Sequence, residues 1–257
     1  MALLGAFVVV SRGGGEVVRV LREPRRAATF LLTTLLISCN WILYIWSVNS
    51  GHVLEASLGY FVNPLVNVLL GVVFLKERLD RRQQLSVGLA AVGVGWLVLS
   101  YGRFPWISLT LASTFGLYAL VRKRARIDAV SGLLVETALL APAAGAYLLW
   151  LAWRGEAHFG TSTGMSLSLL SAGAITAFPL VWFTLGVHQL RLSTMGILQY
   201  LSPTLQFLLA VLLYREPFTR AHAVTFAFIW ASLALYTADA LAKARRREPE
   251  PAVVPLD

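Results

Sequence analysis

The stretch SLGYFVNPLVNVLLGVVFLKE, residues 57–77, combines continuous apolar length with polar side chains at regular positions inside it. A helix of about 20 apolar residues crosses the roughly 30 Å hydrocarbon core of a bilayer. Because the backbone has to satisfy its own hydrogen bonds in lipid, a spanning segment of this length is helical. Residues 57–77 therefore predict a transmembrane helix that carries a polar strip.

The composition of the whole chain is that of a membrane protein. Of its 257 residues, 57% are apolar and 14% are charged, whereas about 25% are charged in soluble domains. This composition excludes a disordered chain, a collagen-like chain and a typical cytosolic enzyme. The single cysteine, Cys39, excludes an intrachain disulfide, and the four histidines lack metal-ligand spacing. We therefore expect neither a metal ion nor a cofactor.

Further apolar segments predict eight full transmembrane helices in all. Their bounds are 27–50, 52–75, 84–101, 106–122, 129–150, 167–187, 193–213 and 221–241. The first ten residues, MALLGAFVVV, would cover only about 15 Å as a helix. We expect them to be the end of a helix whose beginning is missing. The polar, proline-rich tail is expected to be disordered.

The basic residues indicate how the helices are oriented. Eighteen of the 22 lysines and arginines lie on one side of the predicted spans, among them the four at the end of 106–122 and just after it, Arg122, Lys123, Arg124 and Arg126. The positive-inside rule places this side, and with it the C-terminus, in the cytoplasm. The net charge of +9 thus reflects topology and attraction to anionic lipid. We expect the bilayer to be a partner of the chain and nucleic acid not to be one.

A shift of 139 residues lays 57–77 over GILQYLSPTLQFLLAVLLYRE, residues 196–216. The matched pairs are Pro64 with Pro203, Asn63 with Ser202, Asn67 with Gln206, Lys76 with Arg215, and Glu77 with Glu216. The charge pattern orients the two copies in opposite directions. Inverted repeats are typical of transporters, whose halves rock about a midplane site. For Glu77 and Glu216 we expect local ion pairing with the preceding base.

The two prolines free backbone carbonyls at membrane depth, because Pro64 and Pro203 offer no N–H to the residue four positions earlier. Polar residues share a face with each break, and polar strips at this depth face a bundle interior or a wet cavity. The alternative is that these amides only bond neighbouring helices. We expect the substrate cavity to be lined by Asn40, Trp41, Tyr44, Tyr60, Asn63, Pro64, Asn67, Gln199, Ser202, Pro203 and Gln206.

Glu136 lies inside the apolar segment LLVETALLAP, without a basic neighbour in sequence. A carboxyl group at this depth suits the loading and unloading of a proton, or the binding of a cationic group. The alternative is a neutral acid that is bonded to a backbone carbonyl or to a partner helix. We expect Glu136 to be the proton or cation site.

Residues 40–79, NWILYIWSVNSGHVLEASLGYFVNPLVNVLLGVVFLKERL, resemble the RarD-type permeases, in the EamA branch of the drug/metabolite transporter (DMT) superfamily. Residues 132–137, 191–211 and 224–236 resemble the same family. The resemblance implies a ten-helix carrier of the bacterial inner membrane, built from two inverted five-helix repeats, that moves small organic solutes. Members of the family are often called chloramphenicol-sensitive or chloramphenicol-resistance permeases, and this label is weak evidence of substrate.

The chain departs from this family at its start, because family members begin with a full first helix. MALLGAFVVV corresponds to the end of helix two, so the eight spans correspond to helices three to ten. Either the true start lies upstream of Met1, which we expect, or the product is a shortened fragment. The implied divisions are a partial helix and basic loop at 1–26, the rest of the first EamA repeat at 27–101, the second repeat at 106–241, and a cytoplasmic tail at 242–257.

The sequence as a whole predicts an all-α integral membrane protein, an inverted-repeat bundle of eight full helices plus a partial N-terminal one. We expect a secondary transporter that works by alternating access, with proton coupling as one option, and not an enzyme, since no GxSxG, HExxH or CxxC pattern occurs. The alternatives are an inactive truncated fragment and a membrane interaction or biogenesis protein. Substrate identity, flux direction, coupling ion and oligomeric state stay open.

Overall fold

The structure is a computed structural model that describes residues 20, 22–125, 127–205 and 220–246. These residues form eight helices and no strand. The helices are α1 (Pro24–Asn49), α2 (Val53–Leu75), α3 (Arg81–Tyr101), α4 (Trp106–Ala125), α5 (Ala129–Trp153), α6 (Thr163–Gln189), α7 (Leu192–Gln199) and α8 (Arg220–Arg246). The predicted all-α membrane fold is confirmed.

Seven of the eight predicted spans coincide with one described helix each. The remaining predicted span, 193–213, begins as α7, turns at Tyr200 and is helical again over 201–205. Its residues after 205 lie outside the described residues. The predicted partial helix at the N-terminus and the end of the tail also lie outside the described residues. Six of the described helices are long and apolar enough to cross a membrane. The short α7 and α4, which ends in three basic residues, are not among them.

Side-chain caps explain where several helices begin. The Asp80 carboxylate accepts hydrogen bonds from the backbone N–H groups of Arg82 and Gln83, and Gln83 returns a bond to the Asp80 N–H, which completes a capping box for α3. Asp128 caps α5 by accepting hydrogen bonds from the backbone N–H groups of Val130 and Ser131. The pKa of Asp80 is lowered, because Lys243 and these N–H groups donate to its carboxylate.

The helix α2 lies at the centre of the bundle, packed against α4 and α7. Two glycines allow this close approach. A Cβ on Gly196 of α7 would lie 2.5 Å from the Pro64 carbonyl oxygen, and one on Gly116 of α4 would lie 2.8 Å from Val66 Cγ1. Any larger residue would push these helices apart, and small residues at crossings are the usual solution in membranes.

The bundle has two distinct ends. The connections between consecutive described helices from α1 to α7 are short, so neighbours run in opposite directions. Helices α2, α4 and α6 end, and α3, α5 and α7 begin, on the side where the basic residues cluster, such as Arg122 to Arg124. We call this side the basic end and the other side the opposite end. The helix α8 also finishes at the basic end, where Asp239 faces Arg82 of α3.

Replacement of the α3 cap tests this local account of the fold. Asp80→Ala removes the acceptor of two backbone N–H groups, and loss of such a cap costs about 1 kcal/mol. We expect a lower thermal unfolding midpoint for Asp80→Ala in detergent micelles. Asp80→Asn is the matched control, because its side-chain oxygen still caps the helix.

The pH dependence of the same variant checks the sign of the effect. Because the pKa of Asp80 is lowered in the folded state, its stabilisation is fully present above the usual pKa and is lost as pH falls through the lower, folded value. The stability difference between wild type and Asp80→Ala should therefore shrink below about pH 4. A difference that grows on acidification would contradict this account.

Candidate solute cavity

A cavity of about 490 Å³ lies between α1, α2, α4, α6 and α7. Its walls are central turns of these helices, and it extends towards the opposite end, where Ala56 occupies the first turn of α2 and Tyr44 lies near the end of α1. None of the described residues that line this cavity carries a charge. It is therefore a neutral, largely apolar chamber with a few polar groups, which is the usual character of a small-molecule site.

The structure brings most of the predicted cavity residues together. Seven of the eleven line the cavity: Asn40, Trp41, Tyr44, Tyr60, Asn63, Gln199 and Ser202. Pro64 and Pro203 are buried outside the lining, and Asn67 lies one helical turn beyond Asn63 towards the basic end, fully buried. Gln206 lies outside the described residues. The approach of α4 at Gly116 covers Asn67 and so separates it from the cavity.

A hydrogen-bonded amide network joins the two copies of the repeat. Gln199 Oε1 of α7 accepts hydrogen bonds from Asn63 Nδ2 at 3.1 Å and from Asn67 Nδ2 at 2.5 Å, both on α2. Asn63 Oδ1 and Asn67 Oδ1 are buried without a hydrogen-bond partner among the described residues. Because a buried acceptor without a partner is costly and Asn63 lines the cavity, its Oδ1 is a candidate acceptor for a solute or a water molecule.

Aromatic rings form the wall nearest the opposite end. The rings of Tyr44 and Tyr60 meet edge to face with their centroids 6.1 Å apart, and Trp41 lies one turn before Tyr44. Asn40 differs from its neighbours, because its Nδ2 donates to Leu111 O at 2.8 Å and to Thr114 Oγ1 at 2.9 Å. Its amide nitrogen thus ties α1 to α4, which matches the alternative of interhelical bonding.

The sequence prediction did not include the contribution of α4. Leu111, Ala112 and Phe115 line the cavity, and the Phe115 ring lies 4.9 Å from that of Phe183 on α6. These residues are apolar within an apolar helix, so no polar signal distinguished them from lipid-facing positions. Only the packing of α4 against α2 shows which of its faces points inward.

Glu136 lies outside the cavity lining, in a buried ion pair. Its Oε1 is 3.7 Å from Nε of Arg122, and Tyr118 donates to its Oε2 at 3.3 Å. The exposed fractions of the Arg122 and Glu136 side chains are 1% and 3%. The sequence analysis counted Arg122 among the basic residues at the end of the fourth span. In the structure α4 continues to Ala125, and Arg122 follows Tyr118 by one turn on the same inward face.

The surroundings of Arg122 are shaped to hold a guanidinium group. Its Nη2 donates to the Ala129 carbonyl oxygen at 3.2 Å, and the group lies 5.4 Å from the centre of the Phe30 ring. Gly132 makes room for it, because a Cβ there would lie 1.8 Å from Arg122 Nη1. Among the described residues, no group of three His, Cys, Asp or Glu side chains is placed to hold a metal ion.

Comparison with known proteins identifies the family. Residues 1–99 match the EamA-like transporter family. The chain is 46% identical over 243 residues to Protein RarD of Salmonella typhi, which covers 94% of this chain and 83% of that protein. It belongs to the EamA-like transporter family. This EamA-family chain is also 45% identical over 240 residues to an uncharacterized transporter of Vibrio cholerae serotype O1, with 93% and 80% covered.

The family assignment confirms the predicted resemblance to RarD-type permeases. A solved crystal structure aligns with this EamA-family chain at a TM-score of 0.65 and 21% identity, over 96% of this chain and 86% of that chain. At this identity the alignment shows a common fold. The chain is thus a multi-span membrane protein of a transporter family.

Substitution of two glycines of α5, one beside Arg122 and one in open space, tests how tightly the Arg122 guanidinium is packed. Gly132→Ala places a methyl group on the guanidinium and should destabilise the protein by about 1–3 kcal/mol through overpacking. Gly145→Ala is the matched control, because a Cβ there meets no atom within 4 Å. It should be neutral or slightly stabilising. Thermal unfolding of the purified variants in detergent measures both, and equal midpoints would contradict the buried position of Arg122.

Proposed function

We propose that this chain is a secondary transporter that carries a neutral, amphipathic organic solute through the cavity by alternating access. The observation that supports this proposal best is the lining, whose described residues include aromatic rings and amides and no charged side chain. Transfer of an ionic solute into such a chamber would strip its hydration without offering a countercharge. A neutral solute loses much less, and its apolar surface gains contact with the rings.

The dimensions of the cavity support the same class of solute. Pockets for small organic molecules commonly measure about 300–1,000 Å³, and this cavity falls within that range at about 490 Å³. In our proposal, Trp41, Tyr44 and Tyr60 contact the apolar part of the solute. Asn63 Oδ1 accepts a hydrogen bond from its polar part, since this oxygen has no other described partner.

The inverted arrangement supports the transport mechanism. The end of α2 lies against the start of α7, so these helices run antiparallel, and the amide network joins them beside the cavity. We propose that 27–101 and 106–241 belong to the two repeats, which move against each other about this site. We also propose that the basic end, and the C-terminus with it, faces the cytoplasm of a bacterial inner membrane.

We propose Glu136 as the proton site of this transporter. The charged or titratable groups described next to it are Arg122 and Tyr118, both on α4, and Thr33 of α1 is a further hydrogen-bonding neighbour. Proton uptake by Glu136 would leave the Arg122 guanidinium without its partner in the interior of the bundle. Because an unpaired buried charge is strongly unfavourable, protonation would favour a rearrangement of α4 against α5.

Uptake of solutes into proteoliposomes tests the cavity proposal. Chloramphenicol, which is neutral and carries one aromatic ring and several polar groups, is a suitable first probe, beside charged aromatic solutes of similar size. We expect uptake of neutral probes only. Asn63→Ala should lower it about tenfold, which corresponds to the loss of one buried hydrogen bond.

The matched control for Asn63 is Asn49→Ala, because Asn49 is exposed and its Nδ2 donates to Ile45 O within its own helix. Its uptake should equal that of the wild type. Equal uptake by Asn63→Ala and wild type would contradict the assigned role of Asn63. Preference for charged solutes, or uptake no faster than in empty liposomes across the panel, would contradict the proposed function.

The response of uptake to a pH gradient tests the role of Glu136. We expect wild-type uptake to change when a gradient is imposed and Glu136→Gln uptake to be independent of it. Glu136→Gln also leaves the buried charge of Arg122 unpaired. The combined Glu136→Gln and Arg122→Met variant removes both charges, so its folded form in the membrane should be more stable than that of Glu136→Gln alone. An unchanged gradient response in these variants would remove Glu136 from the mechanism.

A further inference from the structure

The cavity is closed towards the basic end by packed apolar side chains. A buried cluster of Leu70, Ala119, Leu120, Val187 and Leu192 joins α2, α4, α6 and α7 between the cavity and that end. We call this cluster the apolar plug. A solute in the cavity cannot reach the basic end without displacement of the plug, because protein interiors are packed without gaps of that size.

Glu77, which lies next to the plug at the basic end, joins α2 to α7. Its Oε1 accepts from the backbone N–H of Leu192 at 2.7 Å, and its Oε2 accepts from the N–H of Ser193 at 2.9 Å and from Ser193 Oγ at 2.6 Å. The preceding residue Arg191 gives α7 no side-chain cap of its own. A residue that follows α2 therefore caps α7, through charge-assisted bonds at the positive end of its dipole.

The backbone after α2 is shaped for this contact. Lys76 adopts a left-handed conformation with φ of 54°, and the Glu77 N–H donates back to Gly71 O at 3.1 Å. A Cβ on Gly71 would lie 2.7 Å from Glu77 Oε2, so glycine leaves the space that the carboxylate occupies. The expected local pairing of Glu77 with Lys76 is wrong, because the carboxylate is instead bonded to α7.

Other bonds at the basic end follow the same pattern, in which a side chain of one helix caps the end of another. Lys123 of α4 donates to the carbonyl oxygens of Val187 and Leu190 at the end of α6. Arg124 donates to Phe74 O at the end of α2 at 2.7 Å. These bonds close the basic end around the plug.

We propose that Glu77 is the latch of a gate at the basic end, and that its release from the start of α7 opens the plug towards that side. The proposal rests on the proposed alternating access, which requires the cavity to open at each end in turn. In the described conformation Glu77 is bonded to α7, and the cavity extends towards the opposite end. Release separates α2 from α7 at the basic end, since the three hydrogen bonds of Glu77 join these helices there.

A buried reporter cysteine measures the opening of the gate. Ala119→Cys, in a Cys39→Ser background, places one thiol in the plug at a fully buried position. Everted membrane vesicles expose the cytoplasmic side to a membrane-impermeant maleimide, and the initial rate of labelling reports the open fraction. With Glu77 present we expect slow labelling. Glu77→Ala should raise the labelling rate about tenfold. Only the closed state makes the charge-assisted bonds of Glu77, so their loss shifts the population towards the open state.

Ser193→Ala and Glu156→Ala complete the test. Ser193→Ala removes only the hydroxyl bond to Glu77, so a smaller rise of about threefold in the labelling rate is expected. If Glu77→Ala fails to fold, the labelling of Ser193→Ala tests the latch by itself. Glu156→Ala removes an exposed carboxylate that pairs with Arg154 at the opposite end, and its labelling should equal the background rate. Labelling that is unchanged in both Glu77→Ala and Ser193→Ala would overturn the latch.

The side of labelling and the absence of solute keep this test separate from the uptake experiments. The same variants in right-side-out vesicles should show no rise, because release opens the basic end only. A rise from that side alone would also overturn the proposal. Since labelling needs no solute, failure of uptake with an intact latch effect would contradict the proposed function alone, and the reverse result would contradict the latch alone.

Discussion

The two hydrogen bonds that Gln199 accepts from Asn63 and Asn67 are the interaction on which the account of this molecule depends. A bilayer offers no water to a polar side chain, so an amide at this depth has to find a partner in another helix. Here the partners lie on the two antiparallel copies of one sequence pattern. Their bonding brings α2 against α7, and the cavity lies where the helices around this contact leave space.

The same constraint explains the other polar features of the bundle. Glu136 and Arg122 are buried together because neither charge is tolerated alone in the interior. At the basic end, Glu77, Lys123 and Arg124 supply partners to backbone groups that the helix ends leave unpaired. Two amide oxygens, Asn63 Oδ1 and Asn67 Oδ1, are left without a described partner, and of these residues Asn63 alone lines the cavity. Of these two residues, only Asn63 can therefore offer its side chain to a solute in the cavity.

Much of this architecture follows from the sequence, because bilayer thickness sets the length of the helices and polar residues within apolar segments are conspicuous. Seven predicted spans coincide with described helices, six of which are long and apolar enough to cross a membrane, and seven of the residues predicted to line the cavity do so. Contacts that depend on packing between distant segments gave no such signal. Phe115 is indistinguishable from a lipid-facing residue in sequence. Arg122 was counted with the basic residues at the end of its span, and the partners of Glu77 lie more than a hundred residues further along the chain.

A double-mutant cycle between Asn67 and Gln199 tests the central contact most directly. Asn67→Leu, Gln199→Leu and the combined variant are unfolded reversibly in mixed micelles, and the free energies of unfolding are compared. Because the two side chains share a hydrogen bond, the single effects should fail to add by about 0.6–2 kcal/mol, the range measured for interhelical bonds in membranes. Additivity to within about 0.3 kcal/mol, as found for independent sites, would show that α2 and α7 do not meet through these amides.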